Sequence, residues 1–313
     1  MLTSYESVGH KERKMKRMTM AIMPILACVA LAGPVHSQTT DAQRAAVVTA
    51  AAYRVVPNVV YHVADGYEAK LDLYLPRGQR EPVPALIQIH GGGWVGGTKE
   101  GNSLRFLPYL EMGWAVINIE YRLARVALAP AAVEDCLCAL RWIIGNAEQY
   151  NIDASKLVLT GYSAGGHLAL TTGLVPSSAG LDRQCPGNEP LEVAAIVNWY
   201  GITDVGDLLD GENMKSYAVE WMGSMPDRYE IAERVSPLSY VRQGLPPILT
   251  IHGDADPTVP YSHAVRLREA LDEVGVANQL HTVPGGGHGN FSADQYQVAY
   301  EVIRGFLKEH GLR

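Results

Sequence analysis

Apolar and polar positions alternate in short blocks along most of the chain, and two periods recur. Runs rich in β-branched and aliphatic residues cover Val59 to His62, Leu71 to Leu75, Ala85 to Ile89, Ala115 to Ile119, Leu157 to Leu159, Val193 to Trp199, Ile248 to Ile251 and Gln279 to Val283. Their length and flanking turn residues predict strands. Between them, helical patterns fall near Ser103 to Glu111, Ala131 to Ile144, Gly165 to Gly173, Ser262 to Val274 and Ala293 to Lys308. The first two strands meet at Asp65-Gly66, a dipeptide suited to a tight hairpin, and are expected to form an antiparallel pair. The later alternation of strand and helix implies an α/β fold: a mostly parallel, twisted sheet with helices on both faces. Ligands of such sheets sit at the carboxyl ends of the strands.

One connection breaks the rhythm. From Gly201 to Val241 there is no convincing strand, yet the stretch carries Leu208, Leu209, Met214, Tyr217, Trp221, Met222, Met225 and Tyr229. A long connection of this kind is expected to be a small helical lid or binding element, or else an insert with its own core.

The first 37 residues differ from the rest. A basic stretch from Lys11 to Arg17 precedes an apolar run from Met20 to Gly33, and Val35-His36-Ser37 follows with small residues at the spacing a signal peptidase reads. This is the layout of a secretory signal peptide, so residues 1–37 are expected to be a leader and 38–313 the catalytic domain, secreted or periplasmic. The apolar run, at about 14 residues, is short for a span of roughly 30 Å. A membrane anchor is therefore the less favoured reading, lipidation at Cys28 is disfavoured because the apolar stretch continues beyond it, and no stable membrane insertion is expected.

Composition alters this picture only at its edges. With 47% hydrophobic and 19% charged residues and 31 glycines, the chain suits a globular enzyme with many tight turns. Beyond residue 37 it carries 21 Lys and Arg against 31 Asp and Glu, a surface that repels phosphate backbones and anionic lipid, so no nucleic-acid partner is expected. Cys136 and Cys138, two apart on a predicted helix, point to different faces and are not expected to bridge each other. The expectation for both is a buried free thiol, although Cys185 can pair with one of them if the fold brings them together. No cysteine or histidine cluster has metal-ligand spacing, so no metal is expected.

The chemistry concentrates in three places. Gly161-Tyr162-Ser163-Ala164-Gly165 lies directly between a strand and a helix, the context of a nucleophile elbow, and makes Ser163 the candidate nucleophile. His90-Gly91-Gly92-Gly93-Trp94 follows the strand Ala85 to Ile89; consecutive glycines let backbone N–H groups turn towards a developing oxyanion. Gly92, Gly93 and the N–H of Ala164, at a helix N-terminus, are the candidate oxyanion donors. His90 precedes the nucleophile and is read as a structural residue of the loop. For the base, His281 lies inside a strand run whereas His288 lies in the loop Gly285-Gly286-Gly287-His288-Gly289; a base must reach over the sheet edge, which favours His288. Asp254 and Asp256 both follow the strand Ile248 to Ile251. Asp256 is preferred as the acid, because Pro257 restricts it to extended conformations that hold a carboxylate in one direction. Asp254 is expected to bond nearby loop amides instead. Trp94, Tyr162 and Trp221 are the candidate substrate-binding residues.

These motifs, with Pro130-Ala131-Ala132-Val133-Glu134-Asp135 and His252-Gly253-Asp254-Ala255-Asp256-Pro257-Thr258-Val259-Pro260, resemble the hormone-sensitive-lipase-type esterases of the α/β-hydrolase fold. More closely, they resemble the bifunctional acetylxylan/feruloyl esterase-like branch. The likeness runs from roughly Val55 to Phe306; Tyr162 stands where many hormone-sensitive-lipase relatives have aspartate before the nucleophile. The resemblance implies ester hydrolysis without cofactor or metal, and its acid, the aspartate of Asp-x-x-Val-Pro, corresponds to Asp256. The expected function is a serine carboxylesterase acting through Ser163, His288 and Asp256 on a small-molecule or carbohydrate-linked ester. The short lid, its bulky side chains and Trp94 beside the glycine loop point to short-chain or small aromatic acyl groups. Two other functions fit the same motifs: an amidase of the kynurenine formamidase type, which the leader disfavours, and a ligand-binding homologue without catalysis, which the retained serine, acid and histidine disfavour.

Overall fold

Eight strands form one sheet in the order β1-β2-β4-β3-β5-β6-β7-β8. The computed structural model describes residues 41–313; the leader read at residues 1–37, with Cys28, lies outside the described residues. The strands are β1 (Tyr53–Ala64), β2 (Tyr67–Pro76), β3 (Val83–Ile89), β4 (Ala115–Ile119), β5 (Ile152–Tyr162), β6 (Ala195–Trp199), β7 (Ile248–Gly253) and β8 (Asn278–Val283). β1 and β2 pair antiparallel and close at Asp65-Gly66, both with positive φ (51° and 81°), the geometry of a tight hairpin turn. β2 also runs antiparallel to β4, and every later neighbour is parallel. This is the mostly parallel sheet expected from the order of elements, in the α/β-hydrolase architecture that the family resemblance implied.

The predominantly apolar runs of the central strands have a simple cause: both faces of the sheet are covered, so alternate residues enter two separate cores. Ile87, Ile117, Leu159 and Ile196 face one core, whereas Leu86, Val116, Val158 and Val197 face the other. The first is covered by α3 (Ala131–Gly145), α4 (Ala164–Leu174) and α7 (Ser262–Glu273), and includes Leu137, Leu168 and Leu267. The second is covered by α8 (Ala293–Glu309) through Ile303, Phe306 and Leu307, and by Tyr109 and Leu110 of α2 (Leu107–Glu111). Asp135 fastens α3 to the loop after β4. The carboxylate of Asp135, fully buried, accepts from the backbone N–H of Arg122 at 2.8 Å and pairs with its guanidinium, also at 2.8 Å. Losing either partner would leave an uncompensated buried charge.

Three features differ from the sequence pattern. The helix expected at Ser103 to Glu111 begins as a 3-10 segment, Lys99–Phe106, before α2. The Ala-rich α1 (Asp41–Ala52) gave no amphipathic signal, because Val47 and Val48 stay exposed and its helicity rests on intrinsic propensity. The cysteine expectation needs correction: Cys138 is disulfide-bonded to Cys185, and of the helical pair Cys136 alone is a buried free thiol. Cys136 and Cys138 do lie on different faces of α3. Cys138 meets the loop after α4, which Arg141 of the same helix grips by bonding the Asp182 carboxylate and carbonyl at 2.6 and 3.1 Å. That ion pair and the disulfide hold one loop to one helix face, a juxtaposition that spacing in sequence does not reveal.

Residues 201–241 form short helical turns and two helices, α5 (Ser216–Met222) and α6 (Arg228–Arg234). Leu208, Leu209, Trp221 and Met222 are buried in the first core, Met214 and Tyr229 are exposed, and Tyr217 reaches the cleft described next.

Candidate active site

Ser163 stands between β5 and α4 with φ 58° and ψ −121°, a conformation that L-residues seldom adopt. Close packing enforces it. A Cβ at Gly161 would come within 2.2 Å of the Gly165 carbonyl, and one at Gly165 within 2.2 Å of the Ile89 carbonyl, so strand and helix approach here only because both positions are glycine. The Ser163 N–H donates to the Trp199 carbonyl at 2.9 Å and its own carbonyl accepts from His167 at 3.0 Å, which ties the turn to β6 and to the helix. Ala164 opens α4, so its N–H belongs to the unpaired first turn of that helix.

Across the cleft, His288 Nδ1 donates to Asp256 Oδ2 at 2.7 Å. The Asp256 side chain is fully buried, and its other oxygen accepts the backbone N–H groups of Thr258 and Val259 at 2.8 and 3.0 Å. His252, also buried, adds a contact: its Nε2 lies 3.3 Å from Asp256 Oδ2 and 3.1 Å from the Val259 carbonyl. Both neighbours are acceptors, so this nitrogen carries the proton. Burial alone would raise the Asp256 carboxyl; the bonds from His252 and His288 outweigh it and hold the group well below the usual carboxylate range. The carboxylate therefore stays ionised, keeps the proton of neutral His288 on Nδ1 and leaves Nε2 as the acceptor. Asp254 is exposed, and its carboxylate accepts the Gly285 N–H at 2.6 Å, anchoring the loop that carries His288. His281 lies on β8, and His263 is buried beside Thr203 and Asp207.

The glycine loop turns back at Gly92, whose carbonyl accepts from Val95 and Gly96 at 3.2 and 3.0 Å. With φ 121° and the Gly96 carbonyl 2.1 Å from where a Cβ would sit, no other residue fits there. His90 is buried against Tyr121, ring centroids 4.3 Å apart and nearly parallel, and its Nδ1 donates to the Gly91 carbonyl at 2.8 Å. Burial lowers its pKa to about 4, so it is a neutral structural group of the loop.

Gly91, Gly92, Gly93, Ser163 and His288 line one open cleft of about 430 Å³, together with Tyr162, Tyr200, Tyr217, Thr258, Gly97, Asn102 and Arg105. Trp94 and Trp221, expected to touch substrate, do not line it. Both are fully buried, stacked on each other with centroids 4.2 Å apart, and the Trp94 indole N–H donates to His167 at 3.1 Å. At φ 61° the backbone turns at Trp94 and sends the indole into the core beneath the loop. Truncating a core tryptophan typically costs about 3–5 kcal/mol of stability, so this pair supports the loop from below.

Among the lining residues, Tyr200, Tyr217 and Arg105 were not assigned to substrate from the sequence. Tyr200 directly follows β6, at the carboxyl end of a strand, which was a usable signal. Its ring packs edge-on against His288 with centroids 4.7 Å apart, and its hydroxyl accepts from Arg105 Nη1 at 2.8 Å. Tyr217 sits within the bulky 201–241 stretch and donates to the Thr258 carbonyl at 3.2 Å. Arg105 lies in the 3-10 segment and had no signal; its guanidinium is 4.3 Å from the Tyr162 ring centre.

A serine on a strained strand-to-helix turn, a glycine loop beside it and a carboxylate-held histidine in the same cleft define an α/β-hydrolase site. The chain belongs to the BD-FAE family of esterases, whose profile matches residues 71–271. It is 32% identical to Esterase LipQ of Mycobacterium tuberculosis over 68% of this chain and 52% of that protein. It is 30% identical to the ethyl acetate hydrolase of Pseudomonas putida over 72% of each. The chain spans about half the length of the mycobacterial esterases it matches. Among solved structures it resembles a truncated carbohydrate esterase from gut microbiota (TM-score 0.70, 29% identity, 83% of this chain and 98% of that one). It also resembles Thermogutta terrifontis esterase 2 with propionate bound (TM-score 0.69, 28% identity, 83% and 95%).

Proposed function

We propose that the protein is a serine carboxylesterase in which Ser163 is the nucleophile, His288 the base and Asp256 the orienting acid. The observation that carries this reading is the 2.7 Å bond from His288 Nδ1 to a buried, ionised Asp256 in the cleft that Ser163 enters. The imidazole takes the serine proton through Nε2 as Oγ attacks the ester carbonyl. The resulting imidazolium is stabilised by Asp256, and the tetrahedral oxyanion is received by N–H groups of Gly92, Gly93 and Ala164. Collapse expels the alcohol, which takes the proton from His288, and water repeats the attack on the acyl-enzyme. The esterase relatives favour this reading over an amidase or a binding protein.

The substrate class we propose is a short-chain or small aromatic acyl ester, on a small molecule or a carbohydrate. The cleft is bounded by the bulky rings of Tyr162, Tyr200 and Tyr217, and a relative named for ethyl acetate and a neighbour holding propionate are in keeping with small acyl groups. A panel of nitrophenyl acyl esters with methyl ferulate and acetylated xylan tests it. Turnover should fall beyond about six carbons; equal or faster turnover above about ten would oppose the reading, since each well-buried methylene contributes up to roughly 0.8 kcal/mol.

We also propose export, on the basis of the leader pattern at residues 1–37. The Cys138–Cys185 disulfide supports it, because disulfides persist mainly in oxidising compartments. Intact-mass measurement of exported protein should find a chain that begins near Gln38. A retained leader, or diacylglycerol on Cys28, would contradict the proposal.

A further inference from the structure

We propose that Arg105 is a specificity-determining residue that binds a carboxylate carried by the substrate away from the scissile ester. This rests on reading the cleft as the ester site. Among the described residues, Arg105 is the only Lys, Arg, Asp or Glu lining that cleft. Among the described residues it forms no ion pair, whereas the buried cations Lys99, Arg122 and Arg141 are each paired with a carboxylate. Its position is fixed: Tyr300 donates to its carbonyl at 2.7 Å, and the guanidinium lies over the Tyr162 ring while giving one N–H to Tyr200. One hydrogen bond to a side-chain hydroxyl uses one of five N–H donors and none of the charge. Half-burial costs the guanidinium solvation; the Tyr162 face offsets some of that cost, and an anionic ligand would offset more.

The chemistry of the site selects among anions. A planar guanidinium matches a carboxylate through two parallel hydrogen bonds. A phosphate dianion would call for further cationic partners, and the cleft has none with fixed charge. The charge also has a reason to be matched. A substrate anion near the developing oxyanion would raise the barrier, and Arg105, linked through Tyr200 to the ring of His288, stands where it can neutralise that anion.

The test compares kcat/KM for isosteric pairs, one with the carboxylate on the acyl side (4-nitrophenyl hemiglutarate against 4-nitrophenyl glutaramate) and one with it on the alcohol side (3-acetoxybenzoate against 3-acetoxybenzamide). Rates are corrected for spontaneous hydrolysis and measured on wild type, Arg105→Lys and Arg105→Gln. For at least one pair the wild type should favour the carboxylate by about tenfold, an effect limited by solvent at a half-exposed site. That preference should shrink between about 0.02 M and about 0.5 M salt. Arg105→Gln should abolish the ratio, whatever happens to the absolute rates, and Arg105→Lys should restore part of it. No preference in the wild type for either pair, or equal losses on both members in Arg105→Gln, overturns the proposal. The ester-site reading fails separately, if Ser163→Ala retains turnover on the neutral esters.

Discussion

Replacing Ser163 by alanine, or His288 by alanine, should each lower kcat for ester hydrolysis by at least about 10⁴, or ~5.5 kcal/mol of transition-state stabilisation. Without the hydroxyl no acyl-enzyme forms. Without the imidazole the serine keeps its proton and the leaving alcohol receives none. The two residues serve one proton transfer, so the double variant should be little worse than either single one. Folding should be largely unaffected. Alanine has the same Cβ as serine and inherits the same strained φ of 58°, and the backbone bonds to Trp199 and His167 are unchanged. His281→Ala is the control, since that ring lies on β8 and outside the cleft lining. Steady-state kinetics with melting temperatures for the four variants decide the matter; an inactive His281→Ala beside an active His288→Ala would reverse the assignment of the base.

Asp256→Asn should retain the fold and lower kcat by about 10⁴, while Asp254→Asn should stay within about threefold of wild type. The reason is a conflict of donors. The backbone N–H groups of Thr258 and Val259 require an acceptor at Oδ1, so the asparagine oxygen must take that place. Its NH₂ group then faces His288 Nδ1 and His252 Nε2, where the carboxylate had accepted from both. His288 can satisfy an amide N–H only by moving its own proton to Nε2, the nitrogen that must accept from Ser163. Asp254 makes a different demand: one oxygen accepts one amide, at Gly285, and asparagine supplies that oxygen equally well. A further consequence concerns acid stability. Because folding holds the Asp256 carboxyl below its ordinary value of 3.8, its contribution to stability is fully present above that pH and is lost progressively below it. The Asn variant should lack that component of the acid transition. Near-normal turnover of a folded Asp256→Asn protein would reject the acid assignment.

What was legible in the sequence was whatever is encoded locally. Each central strand is buried on both faces, so it announces itself as a run with apolar residues on both faces, interrupted near its carboxyl end by a single polar residue such as Gln88, Asn118 or Asn198, and the helices between them carry their own period. The turn at Ser163 could be read because its glycines are flanking neighbours in the chain, even though the carbonyls that exclude a Cβ come partly from β3. The preference for Asp256 over Asp254 likewise drew on an adjacent proline. Tertiary structure decided what depends on partners distant in sequence. Trp94 looked like a cleft residue because it follows the glycines, yet a positive φ sends it inward to stack on Trp221, more than a hundred residues away. Cys138 looked free until α3 and the loop after α4 were side by side. Arg105 and Tyr200 gave no joint signal, since they meet across 95 positions and only because a 3-10 segment and the end of β6 open onto the same cleft. Hydrophobic period reports which face of an element is buried; what that face is buried against, and which polar groups meet at the strand ends, are set only when the sheet is assembled.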